Sequence, residues 1–91
     1  AKWPLRHLVL EQLAIRKVGC EALAAAPFAP SLCGLCLSGS EVTAGGVQAL
    51  ADADSFANLR HLDLSGNPIG PGGLAAIAGS TALRGLRSLN L

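Results

Sequence analysis

Apolar residues recur along this chain with a fixed period of 27 residues and no insertion or deletion between them. The column that defines the period consists of Leu5, Leu32, Leu59 and Leu86. Further apolar columns at the same period are Leu8, Leu35, Leu62 and Leu89; Leu10, Leu37, Leu64 and Leu91; Ile15, Val42 and Ile69; Cys20, Val47 and Leu74; and Leu23, Leu50 and Ile77. Because such self-similarity is typical of stacked repeats, we interpret residues 1–91 as one domain, with repeats at 5–31, 32–58 and 59–85 and a partial repeat at 86–91.

The first part of each repeat has the pattern of a short strand. In "LRHLDL", residues 59–64, Leu62 and Leu64 alternate with His61 and Asp63. A period of two indicates a strand with one buried face. Strands from successive repeats would stack as a parallel sheet about 4.7–4.9 Å apart.

The second part of each repeat has the pattern of a helix. Asn67 and Pro68 turn the chain after the strand, and Pro71 suits a helix start because its missing N–H leaves no hydrogen bond unmade there. Apolar residues then follow at helical spacing, at Leu74, Ile77 and Ala78. The sequence therefore predicts an α/β fold with one strand and one helix in each repeat.

The segment "LRHLDLSGNPIGPGG", residues 59–73, fits the pattern L-x-x-L-x-L-x-x-N-x-L, and the chain resembles the leucine-rich repeat family over nearly its whole length. The repeat length and the G-x-x-x-L after the loop resemble the ribonuclease-inhibitor-like class, and the richness in Ala and Gly resembles its bacterial tandem-repeat members. The resemblance implies a solenoid, a right-handed βα superhelix with a parallel concave sheet and convex helices. It also implies a protein interaction module and not an enzyme.

One column departs from the family pattern. The resemblance implies an asparagine there, whose amide bonds to the backbone of the adjoining loops, but the column reads Leu13, Ser40, Asn67. We expect Asn67 to make these bonds fully and Ser40 to make them in part. Leu13 is either buried in an atypical first repeat or marks a repeat that is decaying.

Charge and composition narrow the range of partners. The net charge is +1 with 14% charged residues, which gives no electrostatic reason for nucleic acid or an anionic membrane as the main partner. The longest apolar run, "ALAAAPFAP", is too short for a membrane span and is interrupted by Pro27 and Pro30. The three cysteines form no obvious disulfide framework, which favours free thiols and, weakly, a cytoplasmic location.

The "CGLC" segment has the spacing of redox thiols and of half a zinc site. Cys33 and Cys36 lie before and within a predicted strand, however, whereas redox enzymes place such a pair at a helix start, which lowers the thiol pKa. Zinc needs four converging ligands, there is no second C-x-x-C, and His7 and His61 are two strands apart, about 10 Å. A thiol redox or metal site at these cysteines is therefore a remote alternative, and no cofactor is expected.

Other catalytic patterns are equally weak. His61, Asp63 and Ser65 alternate along one strand and so face one side, whereas a catalytic triad converges from separate elements. The glycine-rich "GNPIGPGG" is not followed by the Lys-Ser or Lys-Thr of a phosphate loop. The sequence predicts no catalytic residue.

The outward positions of the strands remain as the candidate binding surface, for a protein or peptide partner. They contain no aromatic side chain, which favours a modest or avidity-dependent interface. The alternative is a structural spacer within a larger multidomain protein. The candidate contact residues are Arg6, His7, Val9, Glu11, Cys36, Ser38, Arg60, His61, Asp63, Ser65, Arg87, Ser88 and Asn90.

The two ends of the repeat array carry separate expectations. Trp3 and Pro4 precede the first strand and are placed to shield its edge, whereas "LRSLNL" stops within a repeat. We therefore expect either a fragment of a longer array or a chain whose neighbour supplies the cover. In the isolated chain, Leu86, Leu89 and Leu91 should partly face water. Since burial of a Leu side chain stabilises a fold by about 1.5–3 kcal/mol, such an edge predicts self-association.

Overall fold

The computed structural model describes residues 4–91, which form a parallel sheet backed by helices. The strands and helices alternate along the chain, and short 3-10 turns at Ala29–Ser31 and Asp54–Phe56 precede the second and third strands. In chain order the elements are β1 (His7–Val9), α1 (Arg16–Ala25), β2 (Gly34–Cys36), α2 (Ala44–Ala51), β3 (His61–Asp63), α3 (Gly70–Ala78) and β4 (Ser88–Asn90).

The sheet keeps the sequence period in its register. Its order is β1-β2-β3-β4, and all three pairings are parallel. Each strand residue lies opposite the residue one repeat later, as in the row Leu8, Leu35, Leu62 and Leu89. The predicted α/β solenoid with a parallel sheet is confirmed.

The core lies between the sheet and the helices and is best covered in the middle of the array. Leu62 is 2% exposed, whereas Leu89 in the same column is 41% exposed. Leu64 and Leu91 differ similarly, at 1% and 50%, and Leu86 is half-buried. A repeat buries its apolar face only against neighbours, so the exposure expected at β4 is present. Trp3 lies outside the described residues.

The buried side of α3 does not include all of its apolar residues. Leu74 is 49% exposed and Ala78 is also exposed, whereas Gly73 and Ala76 are buried. Gly73 makes the close approach to α2, because a Cβ added there would lie 3.5 Å from Val47 Cγ2. Successive helical residues are rotated by about 100°, which turns Leu74 away from α2. Of the apolar residues at helical spacing, Leu74 and Ala78 are thus exposed, whereas Ile77 is half-buried and packs against the core.

Asn67 ties the last two full repeats together through its side-chain amide. Its Oδ1 accepts the N–H groups of Ser40, at 2.8 Å, and Val42, at 3.0 Å. Its Nδ2 donates to the carbonyl oxygens of Leu37, at 2.8 Å, and Leu64, at 2.9 Å. The full role predicted for Asn67 is confirmed.

Ser40 makes some of the corresponding hydrogen bonds between the first two repeats. Its side chain is fully buried, and its hydroxyl donates to Leu10 O at 2.9 Å. The N–H of Leu13 approaches the same hydroxyl at 3.5 Å, a long contact. Leu13 is 48% exposed, so of its two alternatives burial does not apply. The first repeat is held more weakly than the third.

Candidate functional site: the concave face of the sheet

The concave face carries the outward side chains of the four strands. The central residue of each three-residue strand points to the core, which leaves the residue on either side facing outward. These residues line a shallow cavity of about 290 Å³. Its outward-facing lining consists of His7, Val9, Gly34, Cys36, His61, Asp63, Ser88 and Asn90.

The remaining predicted site residues lie outside that cavity, beyond the two ends of the strands. Arg6, Arg60 and Arg87 precede β1, β3 and β4, and Glu11, Ser38 and Ser65 follow the strands. The structure therefore brings seven of the thirteen predicted residues together in the cavity, whereas the arginines precede the strands and Glu11, Ser38 and Ser65 follow them.

Gly34 lies at the floor of the cavity, between the two histidines, and is buried. The imidazole of His7 lies across this glycine, since a Cβ added to Gly34 would lie 2.6 Å from His7 Nδ1. His61 is the register neighbour of Gly34 on the other side. Among residues 4–91, no three His, Cys, Asp or Glu side chains come close enough together to hold a metal ion.

Asp63 is a well-ordered carboxylate on this face. The N–H of Ser65 donates to its Oδ1 at 2.9 Å, and the Ser65 hydroxyl hydrogen-bonds to Ser38 Oγ at 3.2 Å. Hydrogen bonds from Ser65, with smaller contributions from Cys36 and Asn90, lower the pKa of Asp63. The carboxylate is therefore ionised at neutral pH and fixed in position.

The environment of Cys36 disfavours a reactive thiolate. Burial raises the pKa of its thiol, and the negative charges of Asp63 and Glu11 add to this, although a backbone hydrogen bond at Ser38 opposes it. The sulfur lies 3.6 Å from Glu11 Oε1. Redox cysteines have a lowered pKa, so the surroundings of Cys36 are the opposite of those that a thiol enzyme needs.

Arg60 is the least exposed basic residue within residues 4–91. It is half-buried, and its Nη1 donates to the carbonyl oxygens of Ala57, at 3.3 Å, and Leu59, at 3.2 Å. Arg84 is not among the predicted site residues, although it lies between α3 and β4 and adjoins Gly85, against which Arg60 packs. The sequence feature that could have identified Arg84 is the basic segment "RGLR", residues 84–87. Residues 81–91, which contain it, include no acidic residue.

No helix within residues 4–91 has the length and apolar character that crossing a membrane requires.

Comparison with known proteins identifies the repeat. A family profile described as Leucine Rich repeat matches residues 57–78, a segment that contains all of β3 and α3. The comparisons found no significant match among curated proteins and none among solved structures. Leucine-rich repeats generally mediate contacts between proteins and are typically non-enzymatic.

Proposed function

We propose that the chain binds a protein or peptide partner through the concave face of its sheet, because a leucine-rich repeat profile matches residues 57–78 and the same 27-residue period runs along the chain. The observation that carries the proposal is the cavity of about 290 Å³, which runs across all four strands. Its outward-facing side chains differ from one repeat to the next. The contact residues proposed are the predicted set on this face. Curved repeat arrays offer such extended surfaces to protein ligands.

The chemistry of the face supports recognition by many small contacts. Val9, at 62% exposed, is its largest outward apolar side chain, and most of its neighbours are polar. Binding hot spots are enriched in Trp, Tyr and Arg, and on this face only arginines belong to that group. We therefore expect an affinity that depends strongly on charge and on repeated contacts.

A selection experiment tests this proposal. A random peptide library displayed on phage is selected against the chain, and the enriched peptides are measured by fluorescence anisotropy. One variant carries three substitutions on the concave face, one in each of three strands: Val9→Ala, Cys36→Ala and His61→Ala. The matched control carries three substitutions of exposed residues, one in each helix: Val18→Ala, Gln48→Ala and Leu74→Ala.

The expected result is that the concave variant weakens binding about tenfold or more, because several contacts are lost together, while the convex control binds as the wild type does. Circular dichroism should show unchanged helix content in both variants. A selection that yields no specific peptide, or a loss of binding in the convex control alone, would refute the proposal and favour the spacer alternative.

Self-association with a second copy of the chain is a further proposal for the edge of the sheet at β4. Within residues 4–91, β4 is hydrogen-bonded on one side, to β3, and Leu89 and Leu91 are 41% and 50% exposed. An unpaired strand with exposed apolar side chains can pair with another chain. Sedimentation velocity should show concentration-dependent association that Leu91→Glu abolishes. A monomer at all concentrations tested would contradict it.

A further inference from the structure

Three arginines lie near Gly85, in sequence or in space, before β3 and β4. Arg84 and Arg87 flank this glycine in sequence, and the guanidinium of Arg60 lies against it, since a Cβ on Gly85 would collide with Arg60 Nη1. The N–H of Arg87 donates to Arg60 O at 2.7 Å, so the two residues are neighbours across the sheet. We call Arg60, Arg84 and Arg87 the basic cluster.

The guanidinium of Arg60 is held in place with part of its hydrogen-bonding capacity free. Its Nη1 is occupied by two backbone carbonyl oxygens, whereas its Nε and Nη2 have no acceptor among residues 4–91. A guanidinium has five N–H donors. The free Nε and Nη2 edge is the one that can bind a carboxylate with two parallel hydrogen bonds.

No acidic side chain in the described part of the chain neutralises the basic cluster. The ion pair found within residues 4–91 joins Arg16 to Glu41 at 3.5 Å, away from the cluster. Arg60 and Arg87 directly precede adjacent strands, whose backbones lie roughly 4.8 Å apart. Like charges carried on neighbouring strands repel each other, and an anion bound between them would reduce the repulsion.

We propose that the basic cluster binds the carboxylates of an acidic segment of the protein partner, an inference that rests on the proposed function. Arg60 supplies a preordered bidentate site, and Arg84 and Arg87, both exposed, close on neighbouring carboxylates. Asp63 and Glu11 lie towards the other ends of the strands and repel an acidic segment from there. The face thus directs acidic residues to its amino-terminal border.

An acidic protein segment fits this surface better than nucleic acid does. Nucleic acid binding relies on many phosphate contacts along an extended basic surface, whereas this cluster is local and the whole chain has a net charge of only +1. The carboxylates of Asp63 and Glu11 on the same face would oppose a phosphate backbone laid across the strands.

The test uses a fluorescein-labelled decapeptide of glutamate as the probe, with a decapeptide of glutamine and an oligothymidylate as comparisons. Binding is followed by fluorescence anisotropy at low and moderate ionic strength. One double variant, Arg60→Gln with Arg87→Gln, removes two charges from the basic cluster. A second, Arg84→Gln with Arg87→Gln, changes only exposed side chains, so it keeps the test valid if loss of Arg60 impairs folding. The matched control, Arg16→Gln with Lys17→Gln, removes the same charge elsewhere.

We expect the wild type to bind the glutamate decapeptide and not the glutamine decapeptide. Each cluster variant should raise the dissociation constant about tenfold or more, because charge-assisted hydrogen bonds are lost. The control should change it less than about twofold, since distant charges are largely screened by salt. Equal weakening in the cluster variants and the control, or tighter binding of the oligothymidylate at the same arginines, would overturn the proposal.

The two proposals fail in different ways. If the library selects peptides that require Val9, Cys36 and His61 while the glutamate decapeptide does not bind, the inference about the basic cluster is wrong and the proposed function stands. If the library selects no peptide for the concave face, the proposed function is wrong, and the inference falls with it.

Discussion

Removal of the Asn67 side chain should be one of the most damaging single polar changes in this fold. Asn67→Ala takes away one acceptor that serves two N–H groups and one amide nitrogen that donates to two carbonyl oxygens within 3.0 Å and to a third, Ser65 O, at 3.3 Å. The four shorter bonds are 2.8–3.0 Å long, and three of them cross to the preceding repeat. The change therefore weakens one loop and the contact between two repeats together.

The structure sets the size of the expected effect. A typical hydrogen bond contributes about 0.5–1.5 kcal/mol net, and a buried group left without a partner costs about 1–3 kcal/mol. Val42, whose N–H loses its acceptor, is 0% exposed. Four lost bonds then predict a decrease of about 4 kcal/mol in the free energy of unfolding. Since small domains are stable by about 5–15 kcal/mol in total, the variant should be close to unfolding.

Asn58→Ala is the matched control for this variant. Asn58 also bridges two repeats, but through a single exposed bond from Nδ2 to Pro30 O at 2.9 Å. It should cost about 0.5–1 kcal/mol. Urea unfolding followed by circular dichroism gives both free energies, provided that the two variants share the wild-type slope. If Asn67→Ala costs no more than Asn58→Ala, the amide does not hold the repeats together and the reasoning is wrong.

Two further predictions concern backbone strain and alkaline pH. Gln12 has φ of +56°, and the aligned residues Gly39 and Gly66 have +61° and +71°. Because glycine adopts this conformation without strain, Gln12→Gly should raise the free energy of unfolding by about 1 kcal/mol, whereas Gln12→Ala should not. Urea unfolding measures both changes. Burial raises the pKa of the Cys20 thiol from 9.0 to about 11. Above pH 9 the thiol therefore ionises in the unfolded state before it does so in the folded state. The wild type should lose about 2 kcal/mol of stability between pH 9 and about 11. Urea unfolding under reducing conditions across that interval should show the loss, and its persistence in Cys20→Ala would contradict the assignment.

The period of the sequence was sufficient to predict the fold, because each apolar column is a row of the core and each strand repeats the register of the previous one. It did not reveal which members of a column have a neighbour to pack against. Leu74 shares a column with the buried Cys20 and Val47 but is itself 49% exposed. One buried column was also missed. It consists of Ala29, Phe56 and Leu83, which are 0%, 0% and 4% exposed, and their unlike sizes conceal that they share one layer.

The candidate site was predictable only as a set of positions. Alternation along a strand says which side chains face outward, and seven of the thirteen predicted residues line the cavity on that side of the sheet. The folding back of Arg60 onto Gly85 and the position of the His7 ring over Gly34 depend on side-chain torsions and on the space that a glycine leaves. Those features arise between repeats, and a pattern within one repeat does not encode them.

The constant register also makes the 27-residue unit interchangeable. Strands pair row to row at that spacing, so loss or duplication of one whole unit would leave every remaining strand in step with its new neighbour. A deletion of any other length near a strand would shift the pairing, and a slip of one residue sends core side chains to the opposite face. The array can therefore change in length through recombination by whole units while it keeps the same architecture.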